Sequence, residues 1–478
     1  MKKLKIFVIA FLGLMLFAQC ESFDDINNDP TRMSTATAGS FLNPTLYGMG
    51  CFNWNRFNDY TFQVMQGIVS TSSTAGRGWY HFSDNEGSST WTTYYKWLNN
   101  AKAIYNYGVQ SGMRNYQAIG LTLEAWMFET LTETFGNVPV DEACKGDSGV
   151  YYPKFDTQQH AFQVVLSDLA MADTLFTPSQ GLKYNKNGDM LYCTSATDKD
   201  GIAKWRKLAN SLRLRCLLRL LNVSGFDAAS QLKQICENPD KYPVMTSNDD
   251  GAGVSISGVA PEEQPMPRVS DIDCYLVLSK FFVDQLNQWN DPRRQVWASQ
   301  VTNDGVKGYY GMPSGYDVMP STEASTPLRS LATAPMKLMI MPYAEVEFIK
   351  AELAQRGIIS GSAADYYKKA VTASMEQWGV TVPDGYFDQP SVKYDGTLKR
   401  IMQQKYYALF FVDYQQWFEY LRTGYPDVPR GEGVAATESV PSRLKYPIIL
   451  QRTNAANYEE AVKAMGGDTF HNKLIWQK

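Results

Sequence analysis

One stripe of side chains restricts this chain more than any other feature. Ala363, Tyr366, Tyr367, Ala370, Val371, Ser374, Met375 and Trp378 recur at intervals of three and four residues. That spacing lines one face of an α-helix and no face of a strand. Ser362 stands where an N-cap belongs, Asp365 follows three residues on as an approximate capping box, and Gly379 supplies the stop. Just upstream, residues 344–356 predict another helix, closed by Gly357. Two helices joined by a short Gly/Ser turn form an αα-hairpin.

The same period recurs elsewhere. Ile119, Leu123, Trp126, Met127, Leu131 and Phe135 stripe a segment that ends at Gly136. Asp156, with Gln159 three residues on, predicts the cap of a helix carrying Phe162, Val165, Leu166 and Leu169. Trp205, Leu208, Leu212 and Cys216 mark a further helix. Residues 398–421 are aromatic-rich all round and predict one long, deeply buried helix that stops near Gly424. Period-2 alternation is nowhere sustained. Between the helices lie long polar segments, roughly 67–90, 177–203, 239–275, 291–335 and 424–443, and loops of that length in a compact protein are usually functional or are insertions packed on a scaffold. The expected fold is all-α: a scaffold of tetratricopeptide-like helical hairpins, with degenerate repeats, carrying long irregular loops.

The N-terminus bears on location. Lys2, Lys3 and Lys5 form a basic start, and residues 6–18 are thirteen apolar positions. A bilayer span needs about 20, so residues 1–19 read as a secretory signal peptide. Cys20 follows directly and is the candidate site of lipid attachment, although Gln19 stands where a lipoprotein signal usually has a small residue. Glu21-Ser22-Phe23-Asp24-Asp25-Ile26-Asn27-Asn28-Asp29-Pro30 is a polar, acidic stretch that cannot fold alone. The expected organisation is a signal peptide over 1–19, a lipidated tether over 20–40 and one binding domain over 41–478.

Charge and chemistry exclude several functions. Without the three signal-peptide lysines, 42 basic against 49 acidic residues leave a net charge of −7. Such a body does not suit nucleic acid, whose phosphates call for basic patches. Six further cysteines are widely spaced without a C-x-x-C pair, and the three histidines have no ligand spacing, so no metal or other cofactor is expected. There is no G-x-S-x-G elbow, no H-E-x-x-H and no phosphate-binding loop with its Lys and Ser/Thr. Carboxylates that could flank a glycosidic bond are always present among 49, yet nothing selects a pair. A non-catalytic binding role is expected, with a surface glycan hydrolase as the alternative.

Aromatic residues make up 13% of the chain. Trp126, Trp205, Trp378 and Trp417 fall on helical stripes and read as core. Trp79, Tyr80 and Phe82, and likewise Tyr309, Tyr310 and Tyr316, stand among Gly, Ser and polar residues in long segments. An aromatic ring on a loop offers a flat face to a sugar ring or a peptide side chain. These six are the candidate ligand contacts; pinning the loops to the scaffold is the competing role.

Several strings resemble landmarks of the SusD/RagB family of nutrient-binding outer-membrane lipoproteins. They run in order: Phe23-Asp24-Asp25-Ile26-Asn27-Asn28-Asp29-Pro30, Phe135-Gly136-Asn137-Val138-Pro139, and Trp205-Arg206-Lys207-Leu208-Ala209-Asn210-Ser211-Leu212-Arg213-Leu214-Arg215. Asn290-Asp291-Pro292-Arg293 and Tyr343-Ala344-Glu345-Val346-Glu347-Phe348-Ile349-Lys350-Ala351-Glu352 follow, then Arg422-Thr423-Gly424-Tyr425-Pro426 and Arg443-Leu444-Lys445-Tyr446-Pro447. Each alone is weak; seven in one order are specific. The resemblance implies a helical fold on tetratricopeptide-like hairpins and lipid attachment at the outer surface of the outer membrane. It also implies a SusC-like TonB-dependent transporter as partner and an oligosaccharide or oligopeptide as ligand. Arg213, Arg215 and Glu345 look like scaffold residues that hydrogen-bond or form ion pairs.

Overall fold

The computed structural model describes residues 37–478; the expected signal peptide, Cys20 and the tether as far as residue 36 lie outside them. The first helix, α1 (Ala38–Arg56), opens on a reciprocal cap. Thr37 accepts from the Ser40 backbone N–H while the Ser40 side chain accepts from that of Thr37, which satisfies two groups the first turn leaves open. The helical body therefore begins ahead of residue 41.

Four helices then follow with short or looped connections: α2 (Ser88–Gln110), α3 (Arg114–Phe135), α4 (Gln158–Leu175) and α5 (Lys199–Arg219). Each packs on the one before it, beginning with α2 on α1. After α6 (Ala228–Glu237) and α7 (Lys280–Gln288), the hairpin read from the sequence is present as α8 (Tyr343–Gln355) and α9 (Ala363–Gln377). Ser362 caps α9 as expected, accepting from Asp365 N–H. The all-α scaffold of helical hairpins is confirmed, with six short strands among the described residues set in its loops. These pair antiparallel two by two: Ile68–Ser70 with Leu276–Leu278, Ala252–Ile256 with Met336–Met341, and Val301–Asn303 with Val306–Gly308.

Two local expectations need correction. The cap of α4 is Thr157, whose hydroxyl accepts from His160 N–H, and not Asp156. Asp156 instead accepts from the Val140 and Asp141 backbone N–H groups at 2.8 and 3.0 Å, tying down the loop after α3. The expected single helix over 398–421 is two, α10 (Leu398–Ala408) and α11 (Gln415–Thr423). Between them Phe411 and Asp413 adopt positive φ of 60° and 31°. The break turns Phe410 into an aromatic cluster with Phe57, Phe282 and Trp297, the last at 4.6 Å between ring centroids. Periodicity cannot distinguish a helix buried on every side from two helices around a buried reversal.

The helices meet through buried charge. Arg215 of α5 makes a bidentate pair with Glu345 of α8, at 2.8 and 2.6 Å, and also donates to Ile340 O. One turn on, Arg219 reaches Glu133 of α3 at 2.8 Å and Glu419 and Gln415 of α11. Arg422 grips Glu352 of α8 through both nitrogens, at 2.7 and 2.6 Å, and holds Glu419 at 2.6 Å. Lys405 of α10 approaches Glu419 from the other side at 3.2 Å. Arg213 does not join them; it bonds Gln231 of α6 at 2.8 Å. Burial alone would raise the Glu419 carboxyl, but Arg422, Lys405 and Arg219 outweigh it and hold the group well below its ordinary range. Glu352 is lowered against burial in the same way by Arg422. For Glu133 burial wins, and despite Arg219 and Arg215 its carboxyl is pushed up to about 7.

Arg422→Met would leave two buried carboxylates without their main partner and is expected to cost about 3–5 kcal/mol in urea unfolding. These groups also set a pH window. The stabilisation from Glu419 and Glu352 is in place above the free carboxylate pKa of about 4.3 and is lost as pH falls through their lower folded values. That from Glu133 is in place below the free value and is lost as pH rises through about 7. Urea unfolding across pH is therefore expected to show declining stability on both sides of a mildly acidic maximum.

Candidate functional site

Two of the long polar segments and one helix line a cleft of about 730 Å³, within the range of about 300–1,000 Å³ typical of ligand sites. One wall is α7. Its N-cap, Ser279, accepts from Phe282 N–H at 3.0 Å, and its two faces divide cleanly. Phe282, Val283 and Leu286 point into the core, where Phe282 packs on Tyr407 and Phe410. Lys280, Phe281, Asp284, Gln285 and Gln288 fall on the opposite face and line the cleft. Helical spacing of this kind keeps them on one side. Lys280 and Asp284 form an i,i+4 ion pair.

The second wall is the segment from Pro313 to Pro320, which contributes Ser314, Tyr316, Asp317 and Val318. Met312 fixes its start by exchanging backbone hydrogen bonds with Leu278 and Lys280, at 3.0 and 2.7 Å. Val318 is 79% exposed, an apolar side chain with no protein surface to cover. The third wall is Pro429, Arg430, Gly431 and Glu432. Here the two loop walls nearly touch. A Cβ on Gly431 would lie 2.1 Å from Ser314 O and 2.2 Å from Gly315 O, and Gly433 N–H donates to Gly315 O at 2.8 Å. Only glycine permits that approach, and Gly315 itself has a φ of +58°.

Of the six loop aromatics, Tyr316 alone lines this cleft. Its ring is buried, its hydroxyl donates to Ser70 O at 2.7 Å, and burial raises its pKa. Trp79 stands behind it, 2% exposed, with its indole N–H donating to Tyr316 O at 3.0 Å and the rings edge to face at 5.0 Å. This contact pins the 67–90 segment to the 311–320 segment. Tyr80 is also buried, while Phe82 is half-buried; with His81, Glu438, Phe470 and His471 they line a separate cavity of about 340 Å³. Tyr309 and Tyr310 lie outside both cavities. Tyr309 is covered by the Arg294 guanidinium at 5.3 Å, and the Tyr310 hydroxyl bonds Val306 O at 3.3 Å. Burial thus withdraws the Trp79 and Tyr80 ring faces that loop composition had predicted to be open. The Trp79 environment is aromatic and backbone-bonded.

Phe281, Gln285, Gln288 and Arg430 are cleft residues that sequence reasoning did not single out. The cleft combines ring and proline surfaces with side-chain amides, which complements a ligand with apolar faces and hydroxyls. Among the described residues, no helix is long and apolar enough to cross a membrane.

Comparison with known proteins places this architecture. Residues 30–447 match the family described as SusD-like, starch-binding and associating with the outer membrane. The chain belongs to the SusD-like family. Comparison with curated proteins gives no match. Among solved structures, a chitin-binding protein is 26% identical, with a TM-score of 0.79 over 92% of this chain and 100% of its own. A SusD homologue from Bacteroides fragilis is 24% identical, with a TM-score of 0.76 over 93% of this chain and 100% of its own. A SusD-like protein from Bacteroides thetaiotaomicron is 22% identical, with a TM-score of 0.75 over 91% of this chain and 99% of its own.

Gly431→Ala is expected to push the two loop walls apart and destabilise the fold by about 1–3 kcal/mol. Urea unfolding reads the stability, and faster amide exchange over residues 313–317 reads the separation.

Proposed function

We propose that this protein is a non-catalytic lipoprotein, anchored through Cys20 on the outer face of the outer membrane. It binds a nutrient oligomer, an oligosaccharide, in the cleft between α7 and the two loop walls, and passes it to a SusC-like TonB-dependent transporter. The observation that carries the ligand reading is the pairing of Phe281 and Tyr316 with Gln285 and Gln288 on one cleft. Rings and prolines cover the apolar face of a sugar, and amides serve its hydroxyls. The starch-binding description of the family and the chitin-binding neighbour support the same ligand class.

The six loop aromatics take graded parts in this reading. Tyr316 forms a cleft wall and Trp79 holds that wall in place. Tyr80 and Phe82 belong to the flanking cavity, which would extend the contact of a longer chain, and Tyr309 and Tyr310 order the loop that leads into the cleft. An oligopeptide is the second reading, favoured by the charged side chains of Lys280, Asp317, Arg430 and Glu432 along the cleft.

Titration calorimetry against panels of oligosaccharides and oligopeptides, followed by product analysis, tests the proposal. A glycan should bind and be recovered unchanged. Turnover would overturn the non-catalytic reading, and peptide binding alone would select the second ligand. Phe281→Ala and Gln285→Ala should each weaken glycan binding by about 1–3 kcal/mol, whereas Tyr310→Ala should leave it nearly unchanged. Unaltered affinity in both of the first two variants places the ligand elsewhere.

A further inference from the structure

A second cavity, of about 850 Å³, shares no lining residue with the cleft. It lies where α2, α3 and α4 pack side by side, and each helix sends a spaced stripe into it. Asn99, Lys102 and Asn106 come from α2, Glu124 and Phe128 from α3, and Asp168 from α4. The loop after α3 closes one side. Four carboxylates line the cavity (Glu124, Asp141, Asp147 and Asp168) against two lysines, Lys102 and Lys145.

The imbalance is sharpest at its buried end. Glu124 is 5% exposed, and one of its oxygens meets Lys102 Nζ at 3.1 Å. Its other oxygen has no hydrogen-bond partner among the described residues. Neither has the half-buried carboxylate of Asp168, which forms no ion pair there either. Lys102 is also shared, since its ammonium sits 5.3 Å from the Phe128 ring centroid. Burial pushes the Asp168 carboxyl up to about 7, with nearby Glu124 adding to the effect and Lys102 opposing it. Two desolvated carboxylates thus depend on one lysine. The open oxygens are not sealed in protein but reach the cavity, which leaves room for a group that would supply a partner.

We infer that this cavity is a second binding site, for a small hydroxylated ligand carrying a primary ammonium group, of which an amino sugar is the simplest example. The ammonium is a compact charge with three donors. The open oxygen of Glu124 and the carboxylate of Asp168 both line the space it would occupy. Asn99 and Asn106, whose amides make no side-chain hydrogen bonds among the described residues, supply donors and acceptors for hydroxyls. A metal ion fits less well. The described residues that converge closely enough for one are Asp141, Asp156 and His160, and of these only Asp141 lines the cavity.

The test is titration calorimetry on the detergent-solubilised full chain with glucosamine, and with N-acetylglucosamine as its uncharged counterpart. Glucosamine should bind and the acetylated sugar should bind at least about ten-fold more weakly, as expected for loss of a hydrogen bond to a charged group. Asp168→Asn should weaken glucosamine binding by about ten-fold or more, while Lys102→Met, which removes the competing cation, should strengthen it. Circular dichroism checks that both variants fold. Where Lys102→Met does not, the isosteric Asp168→Asn carries the test alone, because that side chain holds no partner whose loss could unfold the protein. Equal affinity for the two sugars, no glucosamine binding, or an unchanged Asp168→Asn variant would overturn the inference. Calcium chloride in place of glucosamine producing the Asp168-dependent heat would do so as well.

Discussion

Glu419 holds the fold to a single arrangement. One carboxylate receives Arg219 from α5, Lys405 from α10 and Arg422 from its own helix, and Arg422 extends the chain of charge to Glu352 on α8. Each of these charges would be expensive to bury alone, and each is tolerable only where all the others are already placed. Helical hairpins bury apolar stripes in many nearly equivalent registers. A bidentate ion pair does not slide, because a shift of one helical turn leaves a guanidinium facing carbon. The network therefore selects the register in which α3, α5, α8, α10 and α11 come together.

The loops depend on that choice. α7 stands on the aromatic cluster around Phe410, and the cluster exists because the chain reverses between α10 and α11. From α7 the first cleft wall follows directly. The other two walls are fixed to it and to each other by backbone contacts, at Met312 with Leu278 and Lys280, and at Gly431 and Gly433 with the 314–316 segment. Very little of the cleft's position rests on loop side chains finding apolar cover of their own. Trp79 and Tyr316 are the exception, two rings that cover each other.

Much of the scaffold was legible in the sequence, and the reasons are local. The stripe from Ala363 to Trp378 is half-buried, so its period records which side faces the core. Residues 404–419 are buried on all sides, so their period is silent about the reversal at 409–414. Arg213, Arg215 and Glu345 were legible as scaffold residues through ordered family landmarks, whereas the partner of each was not: Arg213 depends on where α6 places Gln231. At the cleft, segment lengths pointed to two of the walls, in 291–335 and 424–443. They could not rank the rings, because whether Trp79 is open or covered is decided by Tyr316, 237 residues further along the chain. Phe281 was invisible for the opposite reason. An apolar residue on the outer face of a short polar helix resembles ordinary surface until the loops above it are in place.

Because α7 has one face in the core and the other in the cleft, its backbone joins two properties usually adjusted separately. Repacking around Phe282 that rotates the helix by a few degrees would move Phe281, Gln285 and Gln288 together, as a rigid comb, relative to the loop walls. Affinity would then drift with interior substitutions that never touch the ligand. Changes in the loops would alter selectivity and leave the interior undisturbed. Variation among relatives of this protein should accordingly be unequal across the cleft, permissive on the two loop walls and constrained on the helical one.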